Sequence, residues 1–176
     1  MKHLLKLLVL AFFVAQSAWA GLEMGQIPPR VELKDKLGGR LDDTPWSSDE
    51  LRGKVFTIFY VDPDEKDLNN DASEALKEAK LPRDKFQSFA IINMAATWLP
   101  NFAISSALKE KQERYPDTIY VRDYKKALVD KWGISDNNSN VLAFDKEGRL
   151  IFRKDGKLNQ EDIKELLKVI RTHMDN

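Results

Sequence analysis

The chain has 176 residues, of which 43% are hydrophobic and 32% are charged, a composition typical of one globular domain with a real core. Its 28 basic and 28 acidic residues cancel, so neither nucleic acid nor an anionic membrane surface is expected as a partner. The sequence has no cysteine and two histidines. The absence of cysteine excludes thiol chemistry. Because zinc and redox-metal sites use Cys and His ligands, the lack of cysteine and the small number of histidines argue against such sites.

The first twenty residues have the features of a secretory signal peptide. Lys2 and Lys6 give it a positive start, residues 7–15 are apolar, and residues 18–20 form an A-x-A cleavage pattern. A retained membrane anchor is disfavoured, because this apolar run is about half of the ~20 residues that a spanning helix needs. We therefore expect cleavage after Ala20 and export to the periplasm of a Gram-negative bacterium. The product would be a monomeric domain of residues 21–176 with no membrane span.

Strands and helices alternate in the sequence that follows. Residues 31–35 predict a short edge strand, and Ser47 with Glu50 predicts a capping box on a single helical turn. Strands covered on both faces are predicted where β-branched and aromatic residues run without alternation, at 55–61, 86–93 and 118–121. Helices are predicted where apolar residues recur at helical spacing, at 71–80, at 124–132 and after Asn101, which is expected to cap a helix that ends near Tyr115.

The last third of the chain predicts a β-hairpin and a final helix. Residues 141–144 and 150–152 flank a turn in which Gly148 supplies a positive φ, and Asn159 caps a helix with an apolar stripe. Strands joined through helices must run parallel, whereas a tight hairpin adds antiparallel strands. The order predicts an α/β fold with a mixed central β-sheet, helices on both faces and a C-terminal β-hairpin plus helix.

Short motifs at several places resemble those of a known superfamily. The segment LRGKV (51–55) before the first central strand and the hairpin turn DKEGRL (145–150) are similar to those of thioredoxin-like proteins, in the thiol-disulfide reductase and peroxiredoxin group. More narrowly, the chain resembles the YtfJ family of exported bacterial proteins, whose biochemical function is unassigned. The segments that carry this resemblance are EAKLPRDKFQ (78–87), IIN (91–93) and KDGKL (154–158). It implies one thioredoxin-like domain over residues 21–176.

The chain departs from the redox members of that superfamily at both halves of their site. Counted without gaps from Gly53, the four positions that would hold Cys-x-x-Cys are Glu65-Lys66-Asp67-Leu68. The position of the superfamily's cis-proline is Ser139. Because the thiolate is the attacking group in thiol–disulfide exchange, the resemblance implies the scaffold without the redox activity.

An acidic loop follows the first central strand, at the edge where open α/β sheets bind ligands. Its candidate binding residues are Asp62, Asp64, Glu65 and Asp67. The oxygens at alternate positions from Asp67 partly match a calcium loop, but Ala72 stands where that loop requires glycine. A solvated helix entry is the simpler interpretation, and no metal or other cofactor is predicted.

Two further candidate binding residues are Trp98 and Ser139. The Trp98 side chain is either exposed as an aromatic contact for a partner or packed over the end of the sheet, and we favour the packed arrangement. Ser139 is a candidate because it occupies the place of the lost proline. His173 lies in the last helical turn, where a cation suits the helix dipole, so no catalytic residue is predicted.

We therefore expect a non-catalytic periplasmic domain that binds a protein or a small ligand. The alternative is an enzyme of a non-redox class that works through carboxylates or a bound cation. Such an enzyme needs two carboxylates that converge on a concave pocket, with a raised pKa on one of them. A binding domain would instead expose an apolar patch.

Overall fold

A mixed β-sheet forms the centre of the protein, whose computed structural model describes residues 21–175. The predicted signal peptide, residues 1–20, lies outside the described residues. In chain order the strands are β1 (Glu32–Leu33), β2 (Gly38–Arg40), β3 (Trp46–Ser47), β4 (Val55–Val61), β5 (Phe86–Asn93), β6 (Thr118–Asp123), β7 (Ser139–Phe144) and β8 (Leu150–Asp155). The α-helices are α1 (Asn70–Glu78), α2 (Asn101–Arg114), α3 (Ala127–Trp132) and α4 (Gln160–Asp175).

The central sheet has the strand order β2-β6-β5-β4-β7-β8. Strands β4, β5 and β6 are parallel to one another, because each pair is joined through a helix. Strands β7 and β8 form the antiparallel hairpin, and β2 pairs antiparallel with β6 at the other edge. Strands β1 and β3 form a separate antiparallel pair. This arrangement confirms the predicted thioredoxin-like α/β fold.

Both faces of the sheet are buried, and each has its own hydrophobic core. Side chains alternate along β4, so that Phe59 and Val61 join α1, α2 and α4 on one face. Ile58 and Tyr60 join α3 and the N-terminal residues on the other face, around the fully buried Trp46 and Trp132. The run of apolar residues in β4 therefore reflects a strand that is covered on both sides, as predicted.

Several predicted termini match the structure in detail. Ser47 and Glu50 form the capping box on a single 3-10 turn, and the side chains of Asn159 and Asp162 cap each other's backbone N–H at α4. Gly148 has a φ of +84° in the hairpin turn. In the described part of the chain, no helix combines the length and the apolarity that crossing a bilayer requires.

Two predicted helix starts were wrong. Helix α3 begins at Ala127 rather than near residue 124, because β6 continues to Asp123 and the Asp123 carboxylate accepts the backbone N–H groups of Lys125, Ala127 and Leu128. At α2 the capping position is Pro100, with no side-chain cap, and Asn101 is already helical. Strands β2 and β3 were not predicted.

Candidate functional site

Buried polar side chains collect where β4, β5 and β6 end and β7 begins. Six of them, each less than 10% exposed, are Asp62, Asn69, Asn93, Asp123, Ser139 and Asn140. We call these six residues the end cluster. Two of them, Asp62 and Ser139, are predicted site residues. The other four were missed, although each stands at or near the boundary of a buried strand or at the start of a helix.

Asp62 directly follows β4 and is only 4% exposed. One of its carboxylate oxygens, Oδ1, accepts the backbone N–H of Asp64 at 2.8 Å and so caps the short 3-10 turn at Pro63–Glu65. Burial raises the pKa of the Asp62 carboxyl, and this hydrogen bond opposes part of the rise. Asp62 therefore already has a structural partner, which the sequence pattern alone did not indicate.

The other three acidic candidates, Asp64, Glu65 and Asp67, are exposed and do not converge. Asp64 accepts the Thr97 hydroxyl at 3.3 Å, which links the loop after β4 to the loop after β5. Asp67 pairs with the Lys66 ammonium at 2.8 Å, and this hydrogen bond is the main cause of the lowered pKa of Asp67. No group of three Asp, Glu or His side chains within residues 21–175 has the geometry of a metal site.

Ser139 contacts the start of α1 through Asn69. The Asn69 Nδ2 group donates to the Ser139 hydroxyl at 3.0 Å and to the Gly156 carbonyl at 3.1 Å. The Asn69 Oδ1 atom accepts the backbone N–H of Leu158 at 2.9 Å. All peptide bonds in the described residues are trans, including the one before Ser139. Ser139, which the resemblance places at the superfamily's cis-proline position, is therefore hydrogen-bonded to Asn69. We call this link between α1 and β7 the strut.

The α3 face of the sheet carries the remaining members of the end cluster. Asp123 accepts the Tyr60 hydroxyl at 3.1 Å, and burial raises the pKa of that phenol. Asn93 donates to Asp136 at 2.9 Å, and Asn140 donates to the Ser135 carbonyl at 2.8 Å. These bonds fasten the loop after α3 to the sheet. The buried groups thus serve mainly to hold loops in place.

An exposed apolar surface lies beside the end cluster. Trp98 is 87% exposed, Phe102 is 76% exposed and Leu99 is 37% exposed. We call these three residues the Trp98 surface. The packed arrangement that we favoured for Trp98 from the sequence is wrong, because a side chain this exposed does not cover the end of the sheet. Exposed side chains of this size commonly mark interaction sites.

A cavity of about 520 Å³ opens between α1 and α2 on the same side of the sheet. Leu99 of the Trp98 surface lines it at one end, and Asn69 and Ser139 of the end cluster also line it. The cavity therefore connects the exposed apolar surface with the place of the lost redox site. Its size is within the range of about 300–1,000 Å³ that is usual for small-molecule sites.

This topology defines the class of protein. The chain is a thioredoxin-like α/β protein that lacks cysteine. Its fold is similar to the crystal structure of a thiol-disulfide isomerase from Corynebacterium glutamicum, with a TM-score of 0.59 and 14% identity. That match covers 85% of this chain and 97% of the other.

Sequence comparison gives the family. The chain belongs to the family described as "Bacterial protein of unknown function (YtfJ_HI0045)", whose model matches residues 29–173. It is 31% identical to an uncharacterized protein of Haemophilus influenzae over 97% of each chain. It is 28% identical to the uncharacterized protein YtfJ of Escherichia coli over 85% of each chain.

Proposed function

We propose that this protein is an exported periplasmic domain that performs no thiol redox chemistry and binds a protein or a small ligand at the carboxyl end of its sheet. The observation that carries the proposal is the Trp98 surface, which is exposed directly beside the cavity between α1 and α2. Large apolar side chains at the edge of a concave apolar site are typical of interaction and ligand-binding sites.

The geometry of the carboxylates supports a binding role over the enzymatic alternative. Burial raises the pKa of the Asp62 carboxyl, but this carboxylate is engaged in capping the short 3-10 turn through the Asp64 backbone N–H. Asp64 and Glu65 are exposed, and Asp64 accepts the Thr97 hydroxyl. A carboxylate enzyme needs two such groups at one substrate position, so no observation favours this class.

The residues after the predicted cleavage site support the proposed export. Leu22 is buried, and its backbone N–H donates to the Trp132 carbonyl at 2.9 Å. Cleavage after Ala20 would leave this contact intact. Cell fractionation and N-terminal sequencing test the proposal: a periplasmic product that begins at Gly21 supports it, and a full-length cytoplasmic product contradicts it.

The binding role is tested with a matched pair of double variants of residues 21–176. Trp98→Ala with Phe102→Ala removes the Trp98 surface, and Met24→Ala with Ile27→Ala removes exposed apolar side chains elsewhere. Immobilised variants are compared with the unchanged domain in capture from periplasmic extract. We expect a bound species that only the first variant loses. Equal capture by both variants, or acceleration of insulin reduction by the unchanged domain, would contradict the proposal.

A further inference from the structure

The cavity between α1 and α2 has an apolar interior. Its floor is formed by β-strand side chains that include Phe59, Ala90 and Ile92, and its walls include Leu76 of α1 and Leu108 of α2. Burial raises the pKa of Tyr120, which also lines the floor, to about 12, so its hydroxyl stays neutral. A ligand inside the cavity would therefore meet mostly carbon, and water released from these surfaces would favour an apolar chain.

The rim of the cavity is cationic. Six lining residues carry positive charges, and Asp117 is the one lining carboxylate; the six are Lys66, Lys77, Lys80, Arg83, Lys111 and Arg114. Five of the six lie within 4 Å of a carboxylate oxygen, since Lys77 and Arg114 contact Glu74, Arg83 contacts Asp117, and Lys66 and Lys111 contact Asp67. The excess of positive charge over an apolar interior is complementary to an amphipathic anion.

Lys111 is the cation best placed to receive the charged end of such a ligand. Its side chain is 35% exposed, and its nearest carboxylate oxygen, Asp67 Oδ1, is 3.8 Å away, beyond hydrogen-bond distance. Its ammonium donates one long hydrogen bond, to the Lys66 carbonyl at 3.4 Å, and so keeps two N–H groups for a ligand. That Asp67 oxygen already accepts the Asn70 amide at 3.1 Å. Burial lowers the pKa of Lys111, so an anion at this position would stabilise the charged ammonium.

We propose that the cavity between α1 and α2 binds an amphipathic anion, namely a single acyl chain whose anionic head lies against the Lys111 ammonium. The chain occupies the apolar interior, and the head is at the rim, where Lys111 can donate a charge-assisted hydrogen bond. This inference rests on the proposed binding function and names its ligand class. A carboxylate head and a phosphate head could both accept the hydrogen bond from Lys111. The experiments below distinguish binding of a free fatty acid from binding to a lipid surface.

The test uses palmitate as the probe, with residues 21–176 and isothermal titration. Lys111→Met keeps the apolar stem and removes the charge, and Lys109→Met makes the same change at an exposed α2 position that does not line the cavity. We expect saturable binding to the unchanged domain, a loss of roughly tenfold in K111M and no change in K109M. Hexadecanol, which has no charge, should bind K111M and the unchanged domain equally.

The position of the acyl chain is tested separately from that of the head. Ala107→Trp places a bulky ring at the cavity, and it should weaken palmitate and hexadecanol alike. Affinity should rise with chain length from octanoate to palmitate, by up to roughly fourfold for each methylene. Equal palmitate binding by K111M and K109M, or no dependence on chain length, would overturn the proposal.

A separate experiment with lipid vesicles distinguishes binding of a free fatty acid from binding to a lipid surface. Binding of monomeric palmitate without vesicles supports the proposal. Co-sedimentation with phosphatidylglycerol vesicles in the absence of palmitate binding overturns it, because the anionic group would then be recognised at a surface. Failure of palmitate while the Trp98→Ala and Phe102→Ala variant still loses its captured species would refute the ligand class and leave the proposed function intact.

Discussion

The side-chain amide of Asn69 donates a hydrogen bond to the hydroxyl of Ser139 over 3.0 Å, and this bond joins the start of α1 to the start of β7. Asn69 directly follows the four positions where the superfamily resemblance places Cys-x-x-Cys, and Ser139 stands at the position of its cis-proline. In this chain a buried polar contact thus joins the residue after the first half of that redox site to the position of the second half. We therefore expect that contact, and with it the end cluster, to stabilise the fold.

Replacing Asn69 with alanine should destabilise the protein strongly. The change removes the donor to Ser139 and Gly156 and leaves the backbone N–H of Leu158 without its acceptor in a buried place. Loss of a buried partner leaves an uncompensated desolvation cost, so we expect the free energy of unfolding to fall by about 2–4 kcal/mol. Urea unfolding followed by circular dichroism measures the change.

Asn70→Ala is the matched control for this prediction. Asn70 is the exposed neighbour in the sequence, and its side chain contacts only Asp67 among the described residues. Its loss should change stability by less than about 0.5 kcal/mol. A similar fall in the free energy of unfolding for Asn69→Ala and Asn70→Ala would show that the strut between α1 and β7 does not stabilise the fold.

The sequence predicted the central strands well because their signals are local. The bounds of β4 and β5 match the prediction, since residues with high β propensity cluster there and turn-forming residues follow. Strand β2 was missed because Gly38 and Gly39 are typical of a turn. In the structure their backbone pairs with β6, and a Cβ on Gly38 would lie 1.9 Å from the Arg122 carbonyl oxygen. Only the tertiary contact reveals why glycine is required there.

The candidate site was less predictable, because its residues are distant in the sequence. The acidic loop was identified from composition, but Asp62 is buried as a cap while Asp64 is exposed, and the spacing does not distinguish them. The role of Asn69 depends on contacts that reach 89 residues along the chain. The orientation of Trp98 depends on where α2 begins relative to the sheet, which local propensity does not determine.

Asp62 should give the protein a measurable pH dependence of stability. Its pKa is raised in the folded state, so the folded protein binds more protons than the unfolded chain between the unfolded pKa of about 3.9 and the higher folded value. Stability therefore falls as pH rises through that window and stays lower above it. Asp62→Asn, which cannot ionise but keeps an oxygen for the Asp64 N–H, should be more stable than the unchanged protein at pH 7.

Unfolding midpoints measured from pH 3 to pH 8 test this sign. The advantage of D62N should shrink as the pH falls and be smallest near pH 3, roughly one unit below the unfolded pKa of about 3.9, where the carboxyl of the unchanged protein is mostly protonated in both states. Asp64→Asn, an exposed change that keeps the buried Asp62 carboxyl, should still lose stability as the pH rises, because burial is the main cause of the raised pKa of Asp62. If D62N were less stable at pH 7, the charged form of Asp62 would be stabilising and the inferred direction of its pKa wrong.

Gly148 should tolerate a side chain less well than Gly53, although both have a positive φ, of +84° and +82°. A Cβ at position 148 would lie 2.7 Å from the Leu51 carbonyl oxygen, whereas nothing lies within 4 Å of a Cβ at position 53. Gly53→Ala should cost about 1–2 kcal/mol through backbone strain alone. Gly148→Ala should cost about 1–3 kcal/mol more, because the hairpin turn must move away from the backbone. An equal fall in the free energy of unfolding for Gly53→Ala and Gly148→Ala, measured by denaturant unfolding, would contradict this close approach.

Exposure of Trp98 can be measured directly by tryptophan fluorescence in residues 21–176. Trp46 and Trp132 are fully buried, whereas Trp98 is 87% exposed, so acrylamide should quench one component much more readily than the rest. Trp98→Phe should remove that component. Trp46→Phe should leave it in place, and this control breaks no hydrogen bond, because the Trp46 indole N–H has no partner among residues 21–175. If W98F leaves the quenching unchanged, the indole packs over the sheet, and the apolar surface that supports the proposed binding role does not exist.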